Sequence, residues 1–232
     1  MAEVEDRPSL STLPVELVIS ILGSSRDIQS LSATVLSCGH IYRIFLKAQH
    51  QLISKVLFRE VNVEVIPEAI AAFESSRSRT AWTRAGLLEF IARNLDERKI
   101  SERLWHFTDA FAVTRLYQKI KQLARDFALQ AKQSRYKLDD ARGSAISRSE
   151  LSRYERAFYR FELYCNLYHD LKTPLMSLEE RRTTFFSKFS PWENEQLACV
   201  HAYLVRLITP GQSTGQLDTM PKYLLLQILM KW

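Results

Sequence analysis

Leu13-Pro14-Val15-Glu16-Leu17-Val18-Ile19-Ser20-Ile21-Leu22 is the stretch on which the reading of this chain turns. Proline suits the first position of a helix because the amide hydrogen it lacks would find no acceptor there, and Glu16 complements the positive end of the helix. Leu17, Ile21 and Leu22 then form one apolar face. Gly23-Ser24-Ser25 ends the segment, and Asp27 can cap a second short helix carrying Ile28, Leu31, Val35 and Leu36. After a break at Gly39, the residues Ile41, Phe45, Ala48, Leu52 and Val56 recur at steps of four and three. That spacing predicts a longer amphipathic helix running to about Val61.

The helical period continues through the rest of the chain. Pro67 opens a helix with Ile66, Ile70 and Phe73 on one side, and the polar run Ser75-Ser76-Arg77-Ser78-Arg79-Thr80 is the first linker candidate. Helices are expected to resume at Ala81, with Trp82, Leu87, Leu88 and Ile91, and again at Ser101, with Leu104, Trp105 and Phe107. Phe111, Leu116, Ile120, Leu123, Phe127 and Ala131 keep helical spacing with no proline between them, which predicts a long helix from about Asp109 to Ser134. Lys137 to Ser149 is polar, holds Gly143 and reads as a surface loop. Leu151, Tyr154, Phe158, Phe161, Cys165 and Tyr168 make an aromatic seam that some other element must cover. Ser190-Pro191-Trp192-Glu193 is a capping box, and the helix it starts carries Leu197, Val200, Leu204, Leu207 and Ile208 before Pro210-Gly211. The last stretch, Met220 to Trp232, is still apolar where the sequence stops, as in a tail pinned in a core or a shortened relative of something longer.

Strand signals are almost absent: Val61 to Ile66 alternates only weakly and has no partner. The expected fold is therefore all-α, with a flexible start over 1–12 and a three-helix module over 13–62. An irregular helical bundle over 63–232 follows, either separate from the module or continuous with it. A composition of 46% hydrophobic and 25% charged residues with only 6 glycines and 7 prolines fits a folded, helix-rich chain. Cys38, Cys165 and Cys199 are odd in number and far apart, which argues against a disulfide framework and for a reducing compartment. Met1 to Asp6 is acidic without an apolar run, and no apolar stretch is long enough to span a bilayer, so cytoplasm or nucleus is expected, with no membrane partner.

Little in the sequence points to catalysis. Six scattered glycines leave no phosphate-binding loop, and no nucleotide or other cofactor is expected. Cys165 with His169 and Cys199 with His201 are the nearest approach to a metal set, but two residues apart on a helix means about 200° apart, so Cys199 and His201 cannot face one ion. Cys38-Gly39-His40 is the nearest approach to a nucleophile with its base, and Cys38 sits where a small hydrophobe is the usual occupant. Asp139-Asp140 and Glu179-Glu180 read as loop or helix-start charges. The net charge of +6 favours an acidic partner, and Arg135, Lys137, Arg142, Arg148, Arg153, Arg156 and Arg160 concentrate it in one region. A basic helical nucleic-acid binder or scaffold is the alternative reading drawn from that run.

The order Leu13-Pro14-Val15-Glu16-Leu17, Ile21-Leu22, Leu31, Ser37-Cys38, Tyr42 and Phe45 resembles an F-box, in particular those of large fungal families. The later helices, with that begun at Ser190-Pro191-Trp192-Glu193, resemble the C-terminal regions of fungal F-box-like proteins. The resemblance implies a three-helix module that docks on the adaptor subunit of an SCF-type cullin–RING ubiquitin ligase, while the rest of the chain presents a protein substrate of unknown identity. By the same resemblance Leu13, Pro14, Leu17, Ile21, Leu31, Cys38 and Tyr42 would lie at the adaptor contact. The sequence departs from the family pattern at Gly23-Ser24-Ser25, where an apolar helix end is usual, and at Tyr42, where tryptophan is often found. It also carries no leucine-rich, propeller or kelch repeat after the box.

Overall fold

A computed structural model describes residues 13–77, 82–96, 103–135, 145–168 and 175–208, and every regular element among them is helical. The chain divides into two compact units. One comprises residues up to Ile66 together with 101–117, the other Pro67–Ile100 together with Gln118 onward.

In the first unit α1 (Val15–Leu22) and α2 (Ile28–Ser37) both pack on α3 (Gly39–Glu60). Pro14 sits one position earlier than the sequence suggests: it is the cap, and its carbonyl accepts from Leu17 and Val18. Asp27 caps α2 by accepting from the Ser30 backbone N–H at 2.7 Å. The end of α3 clamps the turn between the first two helices. Arg59 donates to the carbonyls of Gly23 and Ser25, while the Glu60 carboxylate accepts from the first amide of α2, Ile28. Both ends of that turn would otherwise leave helix-terminal groups without partners. The glycine at 23 is also sterically apt, since a Cβ there would lie 3.2 Å from both the Ile19 carbonyl and the Lys55 ammonium.

Helix α3 is the longer helix expected here, with a kink at Ala48 (φ −132°, ψ 21°). Just beyond that kink, His50 Nδ1 lies 2.9 Å from the Trp105 carbonyl. A carbonyl only accepts, so the ring carries its proton on Nδ1 and leaves Nε2 to accept from Gln49. The helix expected from Ser101 is not formed over Arg103–His106, which is non-helical. An irregular segment there lets Trp105 bury itself wholly against Phe58 while Leu104 faces solvent and Phe107 stacks on Phe45. The weakly alternating segment after α3 forms a short 3₁₀ turn, Val63–Val65, with Asn62 as its cap.

The second unit is built from α4 (Ile66–Arg77), α5 (Arg84–Ile91), the greater part of α6 (Phe107–Arg135), α7 (Arg148–Leu167), α8 (Leu178–Phe185) and α9 (Pro191–Ile208). Ser75, read as linker, is instead buried inside α4, which continues to Arg77; residues 78–81 lie outside the described set. The proposed loop over 137–149 is already helical from Arg148, with Ser147 and Glu150 forming a capping box; 136–144 are outside the described residues. So are 1–12, 97–102, 169–174 and 209–232.

The aromatic seam is covered as expected, and α7 is the central helix: from Ala157 to Tyr168 only Glu162 is partly open to solvent. Phe127 of α6 meets Tyr154 at 5.1 Å and Tyr203 of α9 at 5.2 Å, both edge to face, and Phe185 meets Tyr164 at 5.2 Å in the same manner. Asn166 donates to the Ala72 carbonyl and the Ser75 hydroxyl of α4, which ties the polar atoms of this core together. Arg160 is buried as well, paired with Glu193 at 2.8 Å and Glu68 at 3.3 Å, with its guanidinium over the Phe189 ring.

Burial works to raise the pKa of the Glu193 carboxyl, but the Ser190 backbone N–H, the Arg160 guanidinium and the Ser190 hydroxyl outweigh it and hold the carboxyl below its ordinary value. A carboxyl held low in the folded state adds stability that is fully present above its unfolded pKa and is lost as pH falls through its folded pKa. Glu193→Gln should therefore melt below the native chain at neutral pH, with the gap closing below about pH 4. Melting curves of the two proteins from pH 7 to pH 3 check this, and a gap that stays constant on acidification would contradict it.

Candidate partner-binding surface

Helix α1 is apolar on nearly every side but covered on only one. Val18 and Leu22, one turn apart, are buried on the side that packs on α3, whereas Leu17 is 51% and Ile21 47% exposed. The apolar face read from the sequence thus splits: Leu22 belongs to the core and Leu17 and Ile21 to the surface. Positions 14, 17 and 21 follow steps of three and four, so Pro14, also exposed, shares their side of the helix, and Leu13 beside it is half-buried.

A second stripe opens α3. Cys38, the residue that caps this helix, is exposed, and one turn apart behind it come Tyr42, 43% exposed, and Leu46, also open to solvent. Leu36, at the end of α2, is 74% exposed and directly precedes this stripe in the chain. Neither Leu36 nor Leu46 belongs to the contact set that the F-box resemblance implies. Leu36 is one of the apolar residues that α2 carries, and only the packing of that helix leaves it outside.

Leu31 requires a correction. It has 0% of its surface accessible and lines the buried face of α2 with Ile28 and Val35, so it cannot itself touch a partner. Its side chain supports the helix that carries Leu36. Of the seven residues, then, Pro14, Leu17 and Ile21 come together on α1, Cys38 and Tyr42 on the start of α3, Leu13 lies at the edge, and Leu31 belongs to the core.

The chemistry of this surface is apolar, with one reactive group. Backbone N–H groups of Ile41 and His40 at the start of α3 lower the pKa of the Cys38 thiol below its ordinary value. Nearby, His40 holds a buried Nε2 without a hydrogen-bond partner. Among the described residues no three metal-type side chains converge, and Cys165 is buried in α7 whereas Cys199 is exposed on α9; His169 lies outside them. No helix among them is long and apolar enough to cross a membrane. Glu179 and Glu180 occupy the first turn of α8, where Glu180 forms a capping box with Ser177 and pairs with Arg84. The basic run is divided: Arg148 and Arg153 are exposed, but Arg160 is consumed by its internal ion pairs, and the side chains of Arg135, Lys137 and Arg142 are outside the described set.

The split between core and surface leucines is measurable. Leu31→Ala should cost about 2–5 kcal/mol of unfolding free energy by leaving a cavity. Leu17→Ala should change it by about 0.5 kcal/mol or less. Urea denaturation of the two variants, compared with the native chain, reads the difference, and equal losses would refute the assignment. No protein-family model, no curated protein and no solved structure matches this chain.

Proposed function

We propose that this chain is an F-box-like adaptor protein, whose N-terminal helices dock on the adaptor subunit of an SCF-type ubiquitin ligase while the remaining helices present a protein substrate. The observation that carries this reading is the exposure of Leu17, Ile21 and Tyr42 on helices whose inner faces are already fully packed. A small unit with a complete core has no structural need for large apolar groups outside it, and burying such groups on another protein is their natural use. Leu36, Leu46 and Pro14 extend the same surface. In this reading the chain acts by bringing two proteins together and supplies no catalytic group. The nucleic-acid alternative is weakened by the internal pairing of Arg160, which removes one member of the basic run.

The test is direct binding of the purified full chain to the isolated adaptor subunit, followed by calorimetry. Leu17→Asp and Ile21→Asp should each weaken binding at least tenfold, the equivalent of about 1.4 kcal/mol, with an unchanged helical circular dichroism spectrum. Val63→Asp, at an exposed apolar position outside α1 and the start of α3, should leave affinity as it is. Failure of the native chain to bind, or equal loss in Val63→Asp, would remove the proposal.

A further inference from the structure

Where α6, α7 and α9 meet in the second unit, cations collect without the carboxylates that would neutralise them. Arg125, Arg148, Arg153 and Arg206 are exposed, Lys119 and Arg156 are half-buried, and none of them makes an ion pair among the described residues. Arg206 donates to the Ala202 carbonyl, a bond within its own helix that leaves its charge unmet. Elsewhere in the same unit Arg84, Arg93, Arg182 and Lys188 pair with Glu180, Glu74, Glu179 and Asp96. Like charges gathered on one surface repel one another and draw an anionic partner.

Aromatic packing brings these cations together. The Phe127 ring of α6 meets Tyr154 of α7 and Tyr203 of α9. Arg125 stands two residues before that phenylalanine, Arg153 directly before Tyr154, and Arg206 one turn after Tyr203. Electrostatics links the same helices. Burial raises the pKa of the Tyr203 hydroxyl, Asp126 of α6 adds to the rise and Arg206 opposes it. Hydrogen bonds with Ser147 lower the Glu150 carboxyl most, and Lys132 of α6 and Arg153 lower it further. Of the acids nearby, Glu150 is committed to the capping box, Glu155 is buried, and Asp126 is half-buried with its carboxyl raised by burial.

Apolar side chains stand among the charges. Leu129, one turn beyond Arg125, is 52% exposed, and Val205 beside Arg206 is 39% exposed. A nucleic-acid backbone offers phosphates to the cations and nothing to the leucine, whereas a peptide with both carboxylates and aliphatic groups satisfies both. We propose that this surface of α6, α7 and α9 docks an acidic segment of a partner protein that also carries apolar side chains. The α6 part of it, from Lys119 to Lys132, is about 20 Å long, the span of about six residues of extended peptide. Arginine guanidinium groups suit such a segment because each can hold a carboxylate through two parallel hydrogen bonds. In the adaptor reading this partner is the substrate, and only that label rests on the reading.

Fluorescence anisotropy of a labelled peptide of glutamates interspersed with leucines, titrated with the full chain, tests this. The native chain should bind it, with an affinity that falls as salt rises. The double variant Arg125→Glu, Arg153→Glu should bind about tenfold or more weakly, and Leu129→Ser should also lose affinity. Arg43→Glu with Lys47→Glu, at exposed positions of α3 in the other unit, changes the net charge equally and should leave binding as it is. Circular dichroism identifies any variant that has lost its fold. Absence of binding would overturn the proposal, as would equal loss in both double variants or indifference to Leu129→Ser. So would equal affinity for polyglutamate without leucine, or displacement of the peptide by a more tightly bound single-stranded oligonucleotide, which would assign the surface to nucleic acid. None of these bears on adaptor binding, which is measured against the adaptor subunit and depends on the other unit.

Discussion

A helix that is enclosed around its whole circumference demands neighbours on every side, and the second half of α7 imposes that demand on the larger unit. From Ala157 to Tyr168 most of its side chains are aromatic or aliphatic, with Arg160, Glu162 and Asn166 among them, and all but Glu162 are buried, so helices must close around it. Phe127 of α6, Tyr203 of α9 and Phe185 of α8 all reach it edge to face. The same enclosure governs its polar groups. Arg160 is acceptable inside only because Glu193 and Glu68 meet its charge, and Glu193 is in turn fixed by the capping box that starts α9. A local helix-start signal and a buried ion pair are thus the same carboxylate.

The smaller unit obeys the opposite condition. Its helices carry more apolar surface than they can cover for themselves. α3 supplies the bed on which α1 and α2 lie, and Arg59 and Glu60 at its end hold the intervening turn by its unpaired backbone groups. Once Val18, Leu22, Ile28, Leu31 and Val35 have turned inward, Leu17, Ile21 and Tyr42 remain outside. Surplus of this kind costs solubility and persists where another surface is available to bury it, the physical basis of the adaptor reading.

Much of the fold was legible in the residues because helix signals are local. The cap at Asp27, the capping box at Ser190 and the seam from Leu151 to Tyr168 each rest on contacts within a few residues, and each is found where the spacing put it. Where the reading failed, distant partners had intervened. Ser75 looked like linker because it is polar, yet Asn166 across the core satisfies it. Arg103–His106 looked helical by spacing, but burying Trp105 against α3 prevailed over propensity there. Of the candidate site, Pro14, Leu17, Ile21, Cys38 and Tyr42 are exposed and Leu31 is buried, while Leu36 and Leu46 are exposed as well, a division the sequence could not give because an apolar residue has the same signature whether it faces a neighbour or water.

By itself the sequence determined that this protein is made of helices, where most of them begin, and that its amino-terminal segments are unusually apolar. Hydrogen bonding along the backbone, capping and periodicity are properties of short stretches, and short stretches suffice to specify them. Which face of each helix is sealed, where an arginine can be buried, and which leucines stay exposed were decided only when the helices packed, since coverage belongs to the neighbours a side chain meets and not to the side chain alone.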